Sequence, residues 1–273
     1  YQPTRTIASP SFLRRLHDSA NEKELELLSF EKVITGGAPV FPETLNRISE
    51  TFCKARMSIA YGSTEAEPIS HVSWNEYSQT DRQKTCKGGG LLVGRICEHT
   101  ELLVIEEQWG QPVHVESDQH LKSLCVPAGS VGEIIVTGEH VIGGYVKGQG
   151  DRENKIHTGS KIWHRTGDAG YLDPHGRLWL MGRCSAKFHH TGQVIYPFAV
   201  EAAAVESFQC SIAACVEIDG QPTLVLPESY RGKLPASFQV NDLVIKRVVK
   251  SSIPLDSRHN AKVNYAKLRR LLK

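Results

Sequence analysis

The chain of 273 residues carries 32 Lys and Arg against 30 Asp and Glu, a formal net charge of +2, and 40% of its residues are hydrophobic. This length allows one large domain or two smaller ones with a buried core. The near-zero charge gives no electrostatic reason to expect a nucleic acid or a membrane surface as partner. The sequence shows no signal peptide at its start and no run of about 18–20 apolar residues that could span a membrane.

Seven cysteines are scattered along the chain without a C-x-x-C pair. This scatter favours buried thiols in a reducing compartment over a disulfide framework. The histidines, including His189 and His190, also lack the spacing of metal ligands. We therefore expect a cytoplasmic protein, and no pattern indicates its oligomeric state.

The first predicted elements, in chain order, are a helix, a strand, a second helix and a second strand. The first helix covers residues 10–17, with the Ser11 hydroxyl placed to cap it, and the second begins at Pro42, where a missing N–H costs nothing. The strands cover residues 31–35 and 56–60. Each strand leads directly into a segment of glycine and polar residues.

The segment after the first strand contains a glycine pair. Gly36 and Gly37, which precede Ala38, let a backbone approach a flat ligand closely because no Cβ intervenes. A lone glycine pair more often marks an ordinary turn between a strand and a helix. Both interpretations stay open at this point.

The segment after the second strand, Tyr61-Gly62-Ser63-Thr64-Glu65, brings three useful side chains into one predicted loop. A Tyr ring can pack against a purine, a Thr hydroxyl can reach a phosphate, and a Glu carboxylate can hold Mg²⁺. From these residues alone, a polar loop with a solvated glutamate is the simpler interpretation. Further along, residues 80–90 predict a polar, glycine-rich loop and residues 147–161 a solvated surface segment.

A carboxylate and a tight hairpin follow. The turn T-G-D exposes Asp168, and two alternating apolar strands, G-Y-L and R-L-W-L-M-G, are joined across residues 173–176, which supply Pro and Gly. Asp168, with Arg183 one hairpin later, could grip a sugar diol from two sides. Taken alone, Asp168 is more readily interpreted as a residue that caps a turn.

The pattern changes from Cys184 onward to a small α+β unit. Pro197–Phe208 predicts a helix, residues 211–218 and 222–227 predict strands, and a short basic helix is expected after Lys262. A basic terminal helix is usually a solvated surface, so we expect no contact with membrane or nucleic acid from it.

Several motifs stand in a fixed order between Gly132 and Arg183: G-E-I-x-V-x-G, G-Y, and R-T-G-D-x-G-Y-x-D-x-x-G-R-L-W-L-x-G-R. Together with G-G-A-P and Y-G-x-T-E upstream, they resemble the core motifs of the adenylate-forming superfamily. This superfamily comprises acyl-CoA synthetases, aryl-CoA ligases, luciferases and peptide-synthetase adenylation domains. So many fixed positions are far more specific than a lone short motif.

The resemblance implies an α/β fold in two parts. Residues 1–183 would be the C-terminal portion of the large adenylate-forming domain, and residues 184–273 a small, mobile α+β lid domain. It also implies a set of ATP or AMP contacts. These are Gly36, Gly37 and Ala38 along the adenine face, Tyr61 stacked on the ring with Gly62 in the same motif, Ser63 and Thr64 near the phosphates, and Asp168 on both ribose hydroxyls with Arg183 beside it.

The same resemblance implies the chemistry. A carboxylate attacks the α-phosphorus of ATP, which gives acyl-AMP and pyrophosphate, and the acyl group then passes to an acceptor such as CoA. Glu65 would hold Mg²⁺, and Lys262 matches the lysine of the lid, so Lys262, Thr64 and Glu65 are the expected catalytic residues. The expected substrate is a small-molecule carboxylic acid, with a fatty acid as the first candidate.

Two features set limits on this activity. The chain contains no glycine-rich loop of the T-S-G-T-T-G-x-P-K kind and begins at Tyr1. We therefore expect a piece of a longer chain that does not form acyl-adenylate by itself. Ser185 stands at the lid hinge, where the family carries Asp or Lys, and His189 stands where a Lys usually follows. These departures put the CoA-dependent step in question.

Two alternatives to CoA ligation follow. The combination of W-H-R-T-G-D, G-R-L-W-L-x-G-R, the altered hinge loop and R-H-N-A-K resembles, more narrowly, the β-lactone synthetases of bacterial olefin biosynthesis. Those enzymes close a β-hydroxy fatty acid on its own hydroxyl, without CoA. The other alternative is a non-catalytic AMP-binding module that has lost the phosphate loop.

Overall fold

A ten-stranded mixed sheet is the largest element of the computed structural model, which describes residues 2–159, 161–256 and 262–273. Its strands are β1 (Arg5–Ala8), β2 (Lys32–Gly36), β3 (Arg56–Ser63), β4 (Ala66–Ser73), β5 (Leu91–Ile96), β6 (Glu101–Ile105), β7 (Gly132–Thr137), β8 (Lys155–Thr158), β9 (Lys161–Leu172) and β10 (Arg177–Arg183). Their order is β1-β2-β3-β4-β5-β10-β9-β7-β6, and β8 pairs with β9. The strands β1, β2 and β3 are parallel, whereas β3 to β4, β10 to β9 and β9 to β7 are antiparallel.

The helices of this part are α1 (Pro10–Glu22), α2 (Pro42–Thr51), α3 (Gln79–Cys86), α4 (Asp118–Ser123) and α5 (Asp151–Asn154). Leu45 and Ile48 of α2 are fully buried in one cluster with residues of β2 and β3. Burial of such a side chain stabilises the fold by roughly 1.5–3 kcal/mol. The helix predicted to begin at Pro42 is confirmed.

The C-terminal part has its own small sheets. Its elements are β11 (Phe188–His190), β12 (Gln193–Ile195), α6 (Pro197–Phe208), β13 (Ala214–Ile218), β14 (Gln221–Pro227), β15 (Phe238–Val240), β16 (Leu243–Ile245), β17 (Arg247–Ser251) and α7 (Tyr265–Leu272). The strands β13, β14 and β17 form one sheet, and β11-β12 and β15-β16 are hairpins. The predicted helix Pro197–Phe208 and the terminal helix are confirmed.

The hydrophobic clusters follow the same division. Among the described residues, the buried members of three clusters lie within residues 13–179, and those of two others lie within residues 188–268. The parts nevertheless touch, because the Glu206 carboxylate on α6 accepts the backbone N–H of Glu43 on α2 at 2.9 Å. Each part therefore has its own buried core. Apolar packing also joins them, because Phe41 of the first part packs on the C-terminal core with its ring 6.1 Å from that of Phe198.

The structure corrects two local predictions near the N-terminus. The helix α1 is capped by Ser9, whose hydroxyl accepts the Phe12 N–H, and not by Ser11. Residues 80–90 are not a loop, because α3 occupies most of them. Its N-terminus has a capping box in which the Ser78 hydroxyl accepts the Asp81 N–H and the Asp81 carboxylate accepts the Ser78 N–H.

Two further segments are more ordered than their polarity suggests. Residues 147–161 contain α5 and β8, and Lys155 on β8 is only 3% exposed. Its buried ammonium donates to the Ile142 carbonyl and lies 3.3 Å from Nδ1 of His164. The predicted loop at Tyr61 is instead the end of β3 and a tight turn into β4, in which Ser63 pairs with Ala66. In both cases strand pairing overrides the local preference for loops.

The turn that carries Asp168 rests on a buried ion pair. Arg165 donates to both carboxylate oxygens of Glu133 on β7, at 2.8 and 2.7 Å, and both side chains are 0% exposed. The guanidinium also donates to the carbonyls of Gln111 and Glu153, which satisfies it further. Arg165 thereby ties β9 to β7 three residues before Asp168.

None of the helices in the described part of the chain is long and apolar enough to cross a membrane.

We predict that Glu133→Ala lowers the free energy of unfolding by about 3–5 kcal/mol, because it leaves the Arg165 charge buried without its partner. Denaturant-induced unfolding measures the change. Glu101→Ala is the matched control, since Glu101 pairs with Lys161 at 2.5 Å on the surface, where a pair contributes about 0–1 kcal/mol. Equal losses for the two variants would contradict the importance of the buried pair.

Candidate functional site

A cavity of about 450 Å³ lies between central strands of the large sheet and the C-terminal part. Both parts contribute to its walls. The predicted site residues that line it are Gly37, Ala38, Tyr61, Gly62, Asp168, Arg183, Ser185 and Lys262. The fold thus brings together residues that are far apart in the sequence.

The Asp168 carboxylate is the polar centre of this cavity. Its Oδ2 accepts the Tyr61 hydroxyl at 2.8 Å, and its Oδ1 lies 3.1 Å from Nε of Arg183. Asp168 and Arg183 are register partners in the β9-β10 pair, so the hairpin itself sets this contact. Burial raises the pKa of Asp168, whereas Arg183, the Tyr61 hydroxyl and Lys262 act in the opposite direction. The result is a carboxylate with a cation and a neutral donor on its two oxygens.

Tyr61 is held at both ends. Its ring packs against the cluster that contains Ile69 and Leu178, and its hydroxyl donates to Asp168. Burial raises the pKa of this hydroxyl well above its usual value, and the Asp168 charge adds to that effect. Tyr61 is therefore a fixed, neutral donor at the cavity wall.

The two glycines of the pair differ in their surroundings. A Cβ on Gly36 would lie 2.3 Å from the Ala60 carbonyl oxygen, so the close approach of β2 and β3 requires glycine there. Gly37 has φ +73° and open space where a Cβ would be, and it faces the cavity. Gly36 is thus required by strand packing, whereas Gly37 lies in a turn that borders the cavity, and the ligand contact of this pair stays a prediction.

Part of the predicted set lies elsewhere. Gly36, Ser63, Thr64 and Glu65 are all described by the structure and are not among the residues that line the cavity. Oε1 of Glu65 accepts the Tyr145 hydroxyl at 3.0 Å, and its backbone carbonyl accepts the Ile142 N–H at 2.8 Å. Burial acts to raise the pKa of Glu65, but the Tyr145 hydroxyl and other donors outweigh it and leave the pKa below its usual value. Glu65 is therefore an ionised carboxylate at neutral pH.

The predicted magnesium site can be compared with this geometry. Within residues 2–159, 161–256 and 262–273, no group of three or more acidic, His or Cys side chains converges as a metal site. Mg²⁺, however, is commonly bound by one or two carboxylates together with substrate phosphates. A single ionised Glu65 fits that mode of binding.

The sequence motifs predict no specific role for Tyr145, although it belongs to the G-Y motif. Its N–H donates to Oδ1 of Asp151 at 2.7 Å, so the loop before α5 holds the ring while the hydroxyl reaches Glu65. The two partners lie 80 residues apart in the chain. No local pattern connects residues at that separation.

Lys262 reaches the cavity from the C-terminal part. Its backbone N–H donates to Oδ1 of Asp256 at 3.0 Å, and its carbonyl accepts the Asp256 N–H at 2.8 Å. Burial lowers the pKa of the ammonium and Arg183 lowers it further, whereas Asp168 and Asp256 act to raise it. The preceding motif residues, 258–261, lie outside the described residues.

The predicted hinge also faces the cavity. Ser185 lies in a short turn after β10, and the next cation, Lys187, contacts Oε1 of Glu107 at 2.6 Å. The other oxygen of Glu107 accepts the Tyr196 hydroxyl at 3.0 Å. Glu107 therefore fastens both ends of the β11-β12 hairpin to the first part, a contact that no local sequence pattern predicts. His189 is exposed on β11 and does not line the cavity.

Comparison with known proteins agrees with the motifs. A family model described as "AMP-binding enzyme" matches residues 1–146. An olefin β-lactone synthetase of Stenotrophomonas maltophilia is 28% identical over 97% of this chain and 50% of its own length. A 2-succinylbenzoate–CoA ligase of Arabidopsis thaliana is 28% identical over 64% of this chain and 30% of its own length. The chain spans about half the length of the β-lactone synthetases it matches.

Solved structures share the architecture. An amide bond synthetase from Marinactinospora thermotolerans superposes with a TM-score of 0.75 at 22% identity, over 98% of this chain and 52% of that protein. The ATP-bound MatB from Rhodopseudomonas palustris gives a TM-score of 0.70 at 20% identity, over 100% and 51%. The predicted α/β fold class and the resemblance to adenylate-forming enzymes are confirmed, and the chain belongs to the AMP-binding enzyme family.

Proposed function

We propose that this chain supplies the AMP-binding wall and the closing lysine of an enzyme that activates a carboxylic acid with ATP. The observation that carries the proposal is the meeting of Asp168, Arg183 and Lys262 on one cavity. The Asp168 carboxylate would accept both ribose hydroxyls, and Arg183 would hold it in place. A purine would lie along Gly37 and Ala38, beside the Tyr61 ring.

The proposed reaction forms one bond and breaks one. A carboxylate oxygen of the acid attacks the α-phosphorus of ATP, and the bond from that phosphorus to the pyrophosphate oxygen breaks, which releases pyrophosphate and leaves acyl-AMP. Mg²⁺ bound by Glu65 would neutralise charge on the phosphates. The Lys262 ammonium would donate to the phosphoryl oxygens, where the transition state gathers negative charge.

We also propose that residues 184–273 act as a lid that turns about Ser185. The separate buried cores of the two parts support this, since the movement would displace the packing of Phe41 on Phe198 at the interface and leave the buried members of each core together. The contacts of Glu107 with Lys187 and Tyr196 would hold the lid in the observed orientation. A hydrogen bond of this kind contributes about 0.5–1.5 kcal/mol, or somewhat more when one partner is charged, so a rotating lid could exchange them.

The fate of the acyl group separates two candidate activities. In CoA ligation a thiol displaces AMP, whereas in β-lactone formation the β-hydroxyl oxygen of the acid attacks its own acyl carbon and AMP leaves. The matches support the second activity, since two β-lactone synthetases match 97% of this chain at 28% and 27% identity, whereas a CoA ligase of Nicotiana tabacum matches 88% at 23% identity. Ser185 and His189 stand in place of the residues that the CoA ligases use at the hinge.

The deciding experiment supplies the native polypeptide that carries this chain with ATP and a β-hydroxy fatty acid, with and without CoA. Equal AMP release in both reactions, with a β-lactone as product, would support lactone formation. A requirement for CoA and a thioester product would support CoA ligation. Tight AMP binding without any turnover of acids would support the binding module instead.

We predict that Asp168→Asn weakens AMP binding about 10- to 150-fold, because hydrogen bonds to a charged group contribute about 1.5–3 kcal/mol. Isothermal titration calorimetry measures the dissociation constant. The control is 2′,3′-dideoxy-AMP, which lacks both ribose hydroxyls and should bind the variant and the original protein equally. A parallel loss for both ligands would contradict the ribose assignment.

We predict that Lys262→Ala slows acid-dependent pyrophosphate release about 10²- to 10³-fold in the native polypeptide, because a donor aimed at the transition-state charge is lost. AMP affinity should change much less. Lys267→Ala is the matched control, since it removes an exposed lysine from the following helix. Unchanged pyrophosphate release by the Lys262 variant would remove this lysine from the proposed mechanism.

A further inference from the structure

A tyrosine and a glutamate of the C-terminal part meet on the cavity wall close to Lys262. The Tyr265 hydroxyl donates to Oε1 of Glu201 at 2.9 Å, and both residues line the cavity. The same carboxylate oxygen accepts the backbone N–H of Cys215 on β13, also at 2.9 Å. Glu201 itself is 4% exposed, so the pair is fixed between α6, β13 and the start of α7.

The contact holds the segment that follows Lys262. Asp256 binds the Lys262 backbone from one side, and the Asn264 N–H donates to the Pro254 carbonyl at 2.8 Å. One turn into α7, Leu268 is fully buried against β13. Tyr265 lies between these two anchors, and its hydrogen bond to Glu201 joins this segment to α6.

The helix α6 connects this anchor to the nucleotide side of the cavity. A Cβ on Gly182 would lie 2.7 Å from Cβ of Phe198, so the first turn of α6 packs directly on β10 beside Arg183. Arg183 in turn contacts Asp168. A continuous path of packed contacts therefore runs from Asp168 through α6 to the backbone of Lys262.

Stabilisation of the fold does not by itself explain why Glu201 and Tyr265 form a polar pair. Burial raises the pKa of Glu201 to about 7, while the Cys215 N–H and the Tyr265 hydroxyl act in the opposite direction. A buried carboxylate is costly, and apolar residues of similar size often stabilise a core as well or better. What the polar pair provides, and apolar packing lacks, is a directional bond that fixes where the Lys262 segment lies.

We propose that Tyr265 and Glu201 are positioning residues that place the Lys262 ammonium where it can donate to the phosphoryl oxygens while the carboxylate of the acid attacks the α-phosphorus. This inference rests on the proposed function, in which Lys262 stabilises the phosphoryl oxygens. A lysine side chain has a long and flexible stem, so its backbone must be fixed for the ammonium to reach one position. A displacement of about 1 Å at a reacting group can cost 10²-fold in rate.

The test measures acid-dependent pyrophosphate release by the native polypeptide and by three variants: Tyr265→Phe, Lys262→Ala and the double variant. We expect Tyr265→Phe to lower kcat about 10- to 100-fold with little change in KM for ATP. The double variant should be no slower than Lys262→Ala alone, because Tyr265 acts through Lys262. Glu201→Gln, whose amide oxygen can still accept both hydrogen bonds, should retain most of the activity.

A control variant and a second measurement separate positioning from folding. Tyr230→Phe removes the same hydroxyl from a tyrosine of the same part that packs on Phe208, away from the cavity, and should leave kcat unchanged. Amide hydrogen exchange of the peptide that contains residues 262–268 should be faster in Tyr265→Phe than in Tyr230→Phe, at equal melting temperature. This measurement requires no activity.

The possible failures are distinguishable. Full activity of Lys262→Ala would refute the role of this lysine in the proposed function, whatever the behaviour of Tyr265. A slow Lys262→Ala variant together with an unchanged Tyr265→Phe would overturn the positioning role alone. The positioning role would also be overturned if the rate losses of Tyr265→Phe and Lys262→Ala multiply in the double variant. If Tyr265→Phe does not fold, an inactive but folded Glu201→Gln with unchanged exchange would also overturn it.

Discussion

The Asp168 carboxylate, held between Tyr61 and Arg183, is the contact on which the rest of the site depends. Tyr61 lies at the end of β3, 107 residues before Asp168, and Arg183 lies at the end of β10, one hairpin after it. Their meeting requires that β3, β4, β5, β10 and β9 pair in this order across the sheet. The order of the strands is thus what creates a charged, partly enclosed corner beside the cavity.

That corner is supported from behind by a second, fully buried ion pair. Arg165 and Glu133 lie on adjacent strands, and their bonds fix the backbone that leads into the T-G-D turn. Thr166 continues the support, because its hydroxyl donates to the Ile134 carbonyl and accepts the Asp168 N–H. The backbone that carries the Asp168 carboxylate is therefore tied to the adjacent strand by several hydrogen bonds.

The C-terminal part has the opposite character. It is internally compact, yet it meets the first part through directional polar contacts at Glu107 and Glu206 and through the packing of α6. The interface combines these polar contacts with the aromatic packing of Phe41 on Phe198, whose ring centroids lie 6.1 Å apart. The proposed lid movement would have to exchange both kinds of contact.

The sequence by itself determined the elements and residues whose signals are local. Neighbours in the chain determine the helix with its apolar stripe after Pro42, the hairpin around residues 173–176 and the helix Pro197–Phe208. The motifs that contain Asp168 and Arg183 are local in the same sense. Where the pairing of distant strands decided the outcome, local patterns misled: residues 147–161 look solvated but contain a buried strand with Lys155 inside it. Only the tertiary structure could reveal that Tyr145 reaches Glu65, that Tyr196 reaches Glu107 and that Tyr265 meets Glu201, because each contact joins residues at least 64 positions apart. A hydrogen bond across such a distance leaves no periodicity in the sequence, since it depends on where the whole fold brings two backbones together.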